Sequence, residues 1–281
     1  MKILVESGAT KSEWRIIGTG IRFFLRGTNV SSMHTDAIKS IITEGIGRCR
    51  ELQSGEVQGF YLYTAGVLTG AIRDELSCLV RSICPHARIE IREDIVGAAR
   101  GVLGHEKGIV AIMGTGSNAF FWDGNEVSRN VYSGGFILGD DGSASVLGKI
   151  FLSEWIKFRV PKDVAKDFEA EFDGSYTAIV ENVYRGDAPS RYLGSLAPFI
   201  IRHYSCSDYI KGMVDSNFDA FAQKSLLAYD TVSYPVGIVG GFGYACRDII
   251  PGIFARHGIR IRGFVPAPID GLEEFHSTKQ Y

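Results

Sequence analysis

Lys2-Ile3-Leu4-Val5-Glu6-Ser7-Gly8-Ala9-Thr10-Lys11-Ser12-Glu13-Trp14-Arg15-Ile16-Ile17 is the stretch on which the fold turns. The apolar run Ile3 to Val5 predicts a buried strand over Lys2 to Glu6. Ser7-Gly8-Ala9-Thr10 reads as a tight turn, and Ser12 to Ile17 as a second strand. Gly18-Thr19-Gly20 then joins a third strand, Ile21 to Arg26, and the three make a meander. Beyond it the periodicity changes. A helical pattern covers Thr35 to Leu52, a strand Val57 to Tyr63, a helix residues 70–83, a strand Ala87 to Ile91 and a helix Asp94 to Leu103, so the order is βββαβαβα.

The order restarts at Gly108. A strand to Met113, a turn at Gly114-Thr115-Gly116-Ser117, a strand through Trp122, a turn at Asp123-Gly124-Asn125 and a strand to Tyr132 repeat the meander. A shift of 108 residues sets Ser7-Gly8-Ala9-Thr10 on Thr115-Gly116-Ser117-Asn118 and Trp14 on Trp122. The expected fold class is α/β, with two duplicated βββαβαβα domains at 1–107 and 108–281. The second carries a helical insertion over about 143–230, broken near Pro161, Asp173-Gly174, Gly186-Asp187 and Cys206. Strands at Val236 to Val239 and Ile259 to Phe264 resume the sheet, and a closing helix over 268–276 is free to pack back on the first domain.

Composition narrows the class of partner. With 45% hydrophobic residues in 281, the chain can build a substantial core. A net charge of −2 gives no positive field to hold nucleic acid or an anionic membrane, so a small molecule is the expected partner. The five cysteines (Cys49, Cys78, Cys84, Cys206, Cys246) are scattered and odd in number, which speaks against a disulfide framework or thiolate zinc site and for a reducing cytoplasm. No apolar stretch approaches the ~18 residues of a membrane span, and Ile3 to Val5 is too short for a signal segment.

Four features carry chemistry. Tight glycine turns let backbone N–H groups converge on phosphate without a lysine-bearing loop, and one opens each half, with the hydroxyls of Thr10, Ser12, Thr115 and Ser117 beside them. The alternative is two ordinary hairpin turns. Facing domains would bring both turns to one triphosphate in a cleft. Gly237-Ile238-Val239-Gly240-Gly241-Phe242-Gly243 ends a buried strand and opens a helix, so its bare backbone can support a flat base and ribose. A dinucleotide fingerprint fails there, because the motif is far from the first βα turn and Arg262 stands where an acidic ribose ligand belongs. Asp94, between strand and helix, is either a general base or a helix cap. Asp140 and Asp141, in a glycine-flanked turn, and Asn29, after the third strand, suit polyol hydroxyls. The alternatives are capping for Asp141 or Ser143 and a plain turn residue for Asn29.

These residues resemble the BadF/BadG/BcrA/BcrD-type ATPases, and among them the N-acetylglucosamine kinase-like proteins of the sugar kinase, heat-shock chaperone and actin superfold. The likeness runs through Glu6-Ser7-Gly8-Ala9-Thr10-Lys11-Ser12-Glu13, Glu93-Asp94-Ile95-Val96-Gly97-Ala98-Ala99, Met113-Gly114-Thr115-Gly116-Ser117-Asn118 and Leu138-Gly139-Asp140-Asp141-Gly142-Ser143. It continues through Arg191-Tyr192-Leu193, Ala197-Pro198-Phe199-Ile200, Val239-Gly240-Gly241 and the tail Gly271-Leu272 to His276. It implies two ribonuclease H-like (actin-like ATPase) domains and a kinase using ATP and Mg²⁺ on a sugar, N-acetylglucosamine first. It implies phosphate contacts along Gly8-Ala9-Thr10-Lys11 and Gly114-Thr115-Gly116, and a general base at Asp94. Sugar contacts fall to Asn29, Ser117 and Asp140, adenosine contacts to Gly240 and Gly241, and the metal to Glu6 through water. It leaves room for a homodimer. Three departures stand out: Glu6 and Glu13 where the family has Asp, Phe242 and Gly243 after the glycine pair, and Thr64-Ala65-Gly66 for Gly-Ala-Gly. A binding module with little turnover, and an activator-type ATPase, are the alternatives. The scattered cysteines argue against the second, whose relatives hold an iron–sulfur cluster.

Overall fold

The strands β1 (Lys2–Ser7), β2 (Lys11–Ile16) and β3 (Arg22–Arg26) form the antiparallel meander, and the first helix α1 (Thr35–Leu52) follows. Then come β4 (Gly59–Thr64), α2 (Gly70–Ile83), β5 (Arg88–Glu93) and α3 (Asp94–Leu103). Strands β4 and β5 join in parallel, giving the order β3-β2-β1-β4-β5. The computed structural model describes residues 1–8, 11–66 and 68–277. The chain divides into two units, one of Met1–His105 with the chain from Ala267 onward, the other Glu106–Pro266.

Alternation decides what each face of the first sheet buries. Ile3, Val5, Trp14, Ile16, Phe60 and Leu62 pack on α1 and α2 through Ile42, Ile46, Leu76 and Val80. Leu4, Tyr61 and Tyr63 point the other way, onto Val96 of α3 and onto Ile269 and Leu272 of the final helix. Glu6, Glu13 and Arg15 share that second face by the same period. Helix α1 approaches so closely that a Cβ on Gly45 would lie 2.3 Å from the Trp14 ring.

The second unit opens with β6 (Gly108–Met113), β7 (Ser117–Trp122) and β8 (Val127–Val131). A short helix α4 (Gly135–Leu138) follows, which the pattern does not predict. The insertion then runs as α5 (Ala144–Trp155), α6 (Lys162–Glu171), α7 (Tyr176–Val180) extended by a π-turn, α8 (Pro189–Ser195), α9 (Ala197–Arg202) and α10 (Asp208–Lys224). Its breaks fall where Pro, Gly and Asp punctuate the sequence. The sheet closes with β9 (Val236–Val239), α11 (Gly241–Ala245), α12 (Ile250–Ala255), β10 (Ile261–Val265) and α13 (Ile269–Ser277). Its order is β10-β9-β6-β7-β8, with β9 parallel to both β6 and β10. Phe151, Phe199, Phe218 and Phe254 are prominent in its core.

The register corrects one expectation. Ser7 pairs with Ser12 across four residues, and Met113 with Ser117 across three. Gly8 therefore corresponds to Gly114. Trp14 and Trp122, two and five residues past their turns, are not equivalent, although both are fully buried.

Helix α13 docks on the first unit. Lys2 Nζ donates to His276 O at 3.0 Å, and Arg15 pairs with Asp270 at 2.6 Å and Glu273 at 3.1 Å. Glycines let α13 and α3 touch backbone to backbone, since a Cβ on Gly271 would lie 1.9 Å from Gly101 O. Gly271→Ala is therefore expected to destabilise the protein by about 1–3 kcal/mol and lower Tm by about 2–10 °C in a circular-dichroism melt. Gly47→Ala, on an open face of α1 where nothing lies within 4 Å of the new Cβ, should raise Tm slightly. Among the described residues no helix is long and apolar enough to cross a membrane.

Candidate active site

In the first unit the predicted residues gather at the C-terminal ends of the parallel strands β1, β4 and β5, where open α/β sheets place their ligands. The end of β1 is tied to its neighbours by buried hydroxyls. Ser7 Oγ accepts the Thr28 N–H at 2.7 Å and the Thr28 hydroxyl at 2.8 Å, and Thr28 Oγ1 lies 3.0 Å from Thr64 Oγ1. All three residues are at most 2% exposed. Sequence reasoning misses this cluster, because serines and threonines in turns read as solvated.

The Gly8 N–H closes the β1–β2 turn on Lys11 O at 3.1 Å. Gly8 thus offers a bare Cα to the site, while its N–H is committed. Ala9 and Thr10 lie outside the described residues. The Lys11 ammonium sits 4.3 Å over the Phe24 ring. Asn29 bridges to Ala65 in parallel, and its Oδ1 accepts the Ser31 N–H at 3.0 Å. Any hydrogen bond that Asn29 donates from its side chain comes from its amide nitrogen. Gly66, at φ +92°, is needed beside it, since a Cβ there would lie 2.5 Å from Asn29 Oδ1.

Three carboxylates share the α3 face. Glu6 stands opposite Glu13 across β1–β2, and Asp94 is the first residue of α3. Burial, then the charges of Asp94 and Glu13, push Glu6 up to about 7, against an opposing pull from Lys11. Burial likewise pushes Asp94 up to about 6, opposed by the Ile95 N–H that its carboxylate accepts. The N-cap position belongs to Glu93, whose Oε1 instead accepts the Leu68 N–H at 3.1 Å. Asp94 is thus a first-turn residue with a carboxylate poised to titrate near neutrality. Glu13 is held by Arg15 at 2.7 Å, which fixes the longer side chain at this departure from the family pattern. Behind Glu6, its β4 neighbour Tyr63 accepts from Arg100 at 2.8 Å and meets His276 Nε2 at 2.8 Å, while Arg100 pairs with Glu90 at 2.6 Å. Burial holds His276 down at about 4. A helical arginine near a glycine run carries no sequence signal for such a network.

In the second unit the two glycine motifs meet. β6 and β9 run parallel with Ile112 beside Val239, so the turns that follow them are neighbours. Gly240, at φ +126°, packs so tightly that a Cβ would fall 2.4 Å from Met113 O and 3.3 Å from Gly114 N. Gly241 has nothing within 4 Å of its own Cβ position, and Phe242 stacks on Phe218 at 5.6 Å. The Phe departure from the family's small residue is therefore turned toward the core. Gly114 N–H closes the first turn on Gly116 O at 2.9 Å, so that donor is already committed.

Asp140 lies directly against that turn, its Oδ2 2.8 Å from where a Cβ on Gly116 would sit. Its backbone is left-handed, at φ 54°. Ser117 is 6% exposed and donates to Asp141 O at 2.8 Å, so its hydroxyl hydrogen is committed to the aspartate turn. Ser143 caps α5 by accepting the Val146 N–H at 3.2 Å, and Asp141 pairs with Lys224 at 2.9 Å.

No family model matches the chain, and no curated protein matches it. Solved structures do. A candidate N-acetylglucosamine kinase from Porphyromonas gingivalis is 30% identical over 98% of both chains, with a TM-score of 0.85. A second candidate N-acetylglucosamine kinase, from Chromobacterium violaceum, is 18% identical over 97% of both, with a TM-score of 0.74. A ROK-family glucokinase from Streptomyces griseus, solved with glucose and AMPPNP, is 16% identical over 98% of both, with a TM-score of 0.54. The last two show the actin-like ATPase fold alone, and none of the three bears the BadF/BadG/BcrA/BcrD name. The full-length likeness to the P. gingivalis protein is of another order, and by it the chain belongs to the family of N-acetylglucosamine kinase-like proteins of the actin-like ATPase fold.

Proposed function

We propose that the protein is an ATP-dependent kinase that phosphorylates a sugar hydroxyl, with N-acetylglucosamine as the acceptor. The observation that carries this reading is the buried Asp94 carboxylate, raised to about 6 at the strand ends of the first unit. A base of that pKa is largely ionised at pH 7 and still able to hold a proton in the transition state. The likeness to the two candidate N-acetylglucosamine kinases supports the acceptor, and AMPPNP in the glucokinase supports ATP.

In this reading Asp94 takes the proton of the attacking hydroxyl and aligns it on the γ-phosphate. Asn29, Ser117 and Asp140 hold the sugar, Asp140 accepting from its hydroxyls. Thr115 and Gly116 donate to phosphate oxygens, joined by the Gly8-Ala9-Thr10-Lys11 turn. Gly240 and Gly241 leave room for adenosine. Glu6, crowded by two like charges and one lysine, fits a divalent cation through a water. Among the described residues no group of three His, Cys, Asp or Glu could hold a metal ion, so in this reading phosphate oxygens would complete its shell. When bound, Mg²⁺ would neutralise charge on the transferred phosphoryl group.

A screen of sugars for ATP-dependent phosphorylation in a coupled assay, beside calorimetric titrations with ATP and N-acetylglucosamine, tests the proposal. Binding without turnover would favour a binding module, a reading that the raised pKa of Glu6 supports because half its charge is absent near pH 7. Glu6→Asp draws the carboxylate back by about 1.5 Å, which restores the shorter side chain that the family sets against the metal-bound water. The Mg²⁺ concentration for half-maximal rate is expected to fall about tenfold, worth roughly 1.4 kcal/mol. A loss of activity instead would mean that the site is built around the longer side chain.

A further inference from the structure

The Asp140 turn is an improbable piece of backbone. Asp140 and Gly142 both have positive φ, at 54° and 79°, and Asp140 is one of two non-glycine residues so placed among those described. A left-handed aspartate is tolerated only where its surroundings hold it. Part of the support is local: Asp140 N–H donates to Ser133 O at 3.2 Å, and Ser143 N–H to Asp140 O at 3.0 Å. The rest comes from one helix distant in sequence.

Helix α10 turns three residues, spaced i, i+4 and i+7, onto the segment 141–143. Asn217 Oδ1 accepts the Gly142 N–H at 3.0 Å, and its Nδ2 donates to Ser143 O at 3.2 Å. Phe221 closes over Gly142, where a Cβ would meet the Phe221 Cβ at 2.6 Å. Lys224 pairs with Asp141 at 2.9 Å. Lys224 is well exposed and contributes little, whereas Asn217 is 3% exposed and spends both ends of its amide on the turn. An amide reading one N–H and one C=O of adjacent residues matches a single geometry of that turn.

We infer that Asn217 is a positioning residue for acceptor-sugar binding, acting through Asp140 by fixing the turn that presents its carboxylate. This rests on the reading that Asp140 contacts the sugar. A displacement of about 1 Å at a site of this kind can cost ~100-fold, and both amide hydrogen bonds of Asn217 go to the aspartate turn, to Gly142 and Ser143.

The test is a double-mutant cycle with N-acetylglucosamine and glucose as acceptors, measured as KM for each substrate and as calorimetric affinity. Asn217→Ala should raise KM for the sugar about 10- to 100-fold and leave KM for ATP within about twofold. Asn217→Asp, which keeps the acceptor but loses the donor to Ser143 O, should fall between. In the Asp140→Asn background the effect of Asn217→Ala on the sugar should shrink to about threefold or less. Equal effects in both backgrounds, or parallel rises in the two KM values with a fall in Tm, would show Asn217 to be merely structural and overturn the inference. If Asp140→Asn leaves sugar affinity unchanged, or if neither sugar is bound or phosphorylated, the reading of Asp140 itself fails and takes the inference with it.

Discussion

Asp94→Asn is expected to lower kcat about 100- to 10,000-fold while leaving ATP affinity nearly unchanged, since the amide keeps the shape of the side chain and cannot take a proton. The same change should make the protein more stable at pH 8. Burial raises Asp94 from 3.8 to about 6 and Glu6 from 4.5 to about 7. A carboxyl group with a folded pKa above its unfolded value stabilises the fold only while it is protonated. That contribution is whole below about pH 4 and is lost as pH rises through about 6 for Asp94 and about 7 for Glu6. A shift of about two units corresponds to roughly 3 kcal/mol, and losing the negative charge at the helix N-terminus returns about 0.3–1 kcal/mol of that. The net gain for Asp94→Asn at pH 8 is then about 1–2 kcal/mol after screening, or about 2–6 °C in Tm. A simple helix cap would behave in the opposite way, with Tm falling and kcat nearly intact. In the unaltered protein kcat should climb between pH 5 and pH 7 as the base ionises, while Tm declines over the same interval.

Gly240→Ala should abolish activity, and Gly241→Ala should separate nucleotide binding from folding. The first puts a Cβ 2.4 Å from Met113 O at φ +126°, so the turn after β9 cannot keep its place beside Gly114. A cost of several kcal/mol is expected from the clash and the strain together, with KM for ATP rising beyond ~100-fold in whatever fraction remains folded. The second meets nothing within 4 Å and has no positive φ. Its Tm should stay within about 2 °C, and a tenfold or greater rise in KM for ATP would then come from the methyl group lying in the proposed adenosine site. No change in ATP affinity for Gly241→Ala would remove this turn from the nucleotide site.

The element order was legible in the chain because it rests on local information. The apolar run Ile3 to Val5, a helical period over Thr35 to Leu52, and Gly, Asp and Pro at the breaks appear in the structure within a few residues of their expected places. The strand Ala87 to Ile91 runs to Glu93 instead. The helix begins at Asp94 as expected, so the extended strand brings Glu93 to the N-cap position and Asp94 to the first turn. The candidate chemistry was legible too, in residue types that only a few environments accept: a carboxylate between strand and helix, and glycines where backbones must approach.

What the sequence determined alone was thus the order of elements, the doubling of the meander and the identity of the residues available for chemistry. Tertiary structure decided the register of the two hairpins, which separates Trp14 from Trp122. It also decided which donors are already spent, as the N–H groups of Gly8, Gly114 and Gly240 are, and which charges are raised by their neighbours. It decided that Arg100 and His276 lie behind Glu6, and that Asn217 reaches Gly142 across 75 residues of chain. The reason is one of range. Hydrophobic period and turn chemistry act between residues a few positions apart, whereas desolvation, like-charge crowding and the matching of a buried amide to backbone exist only after distant segments have been packed together.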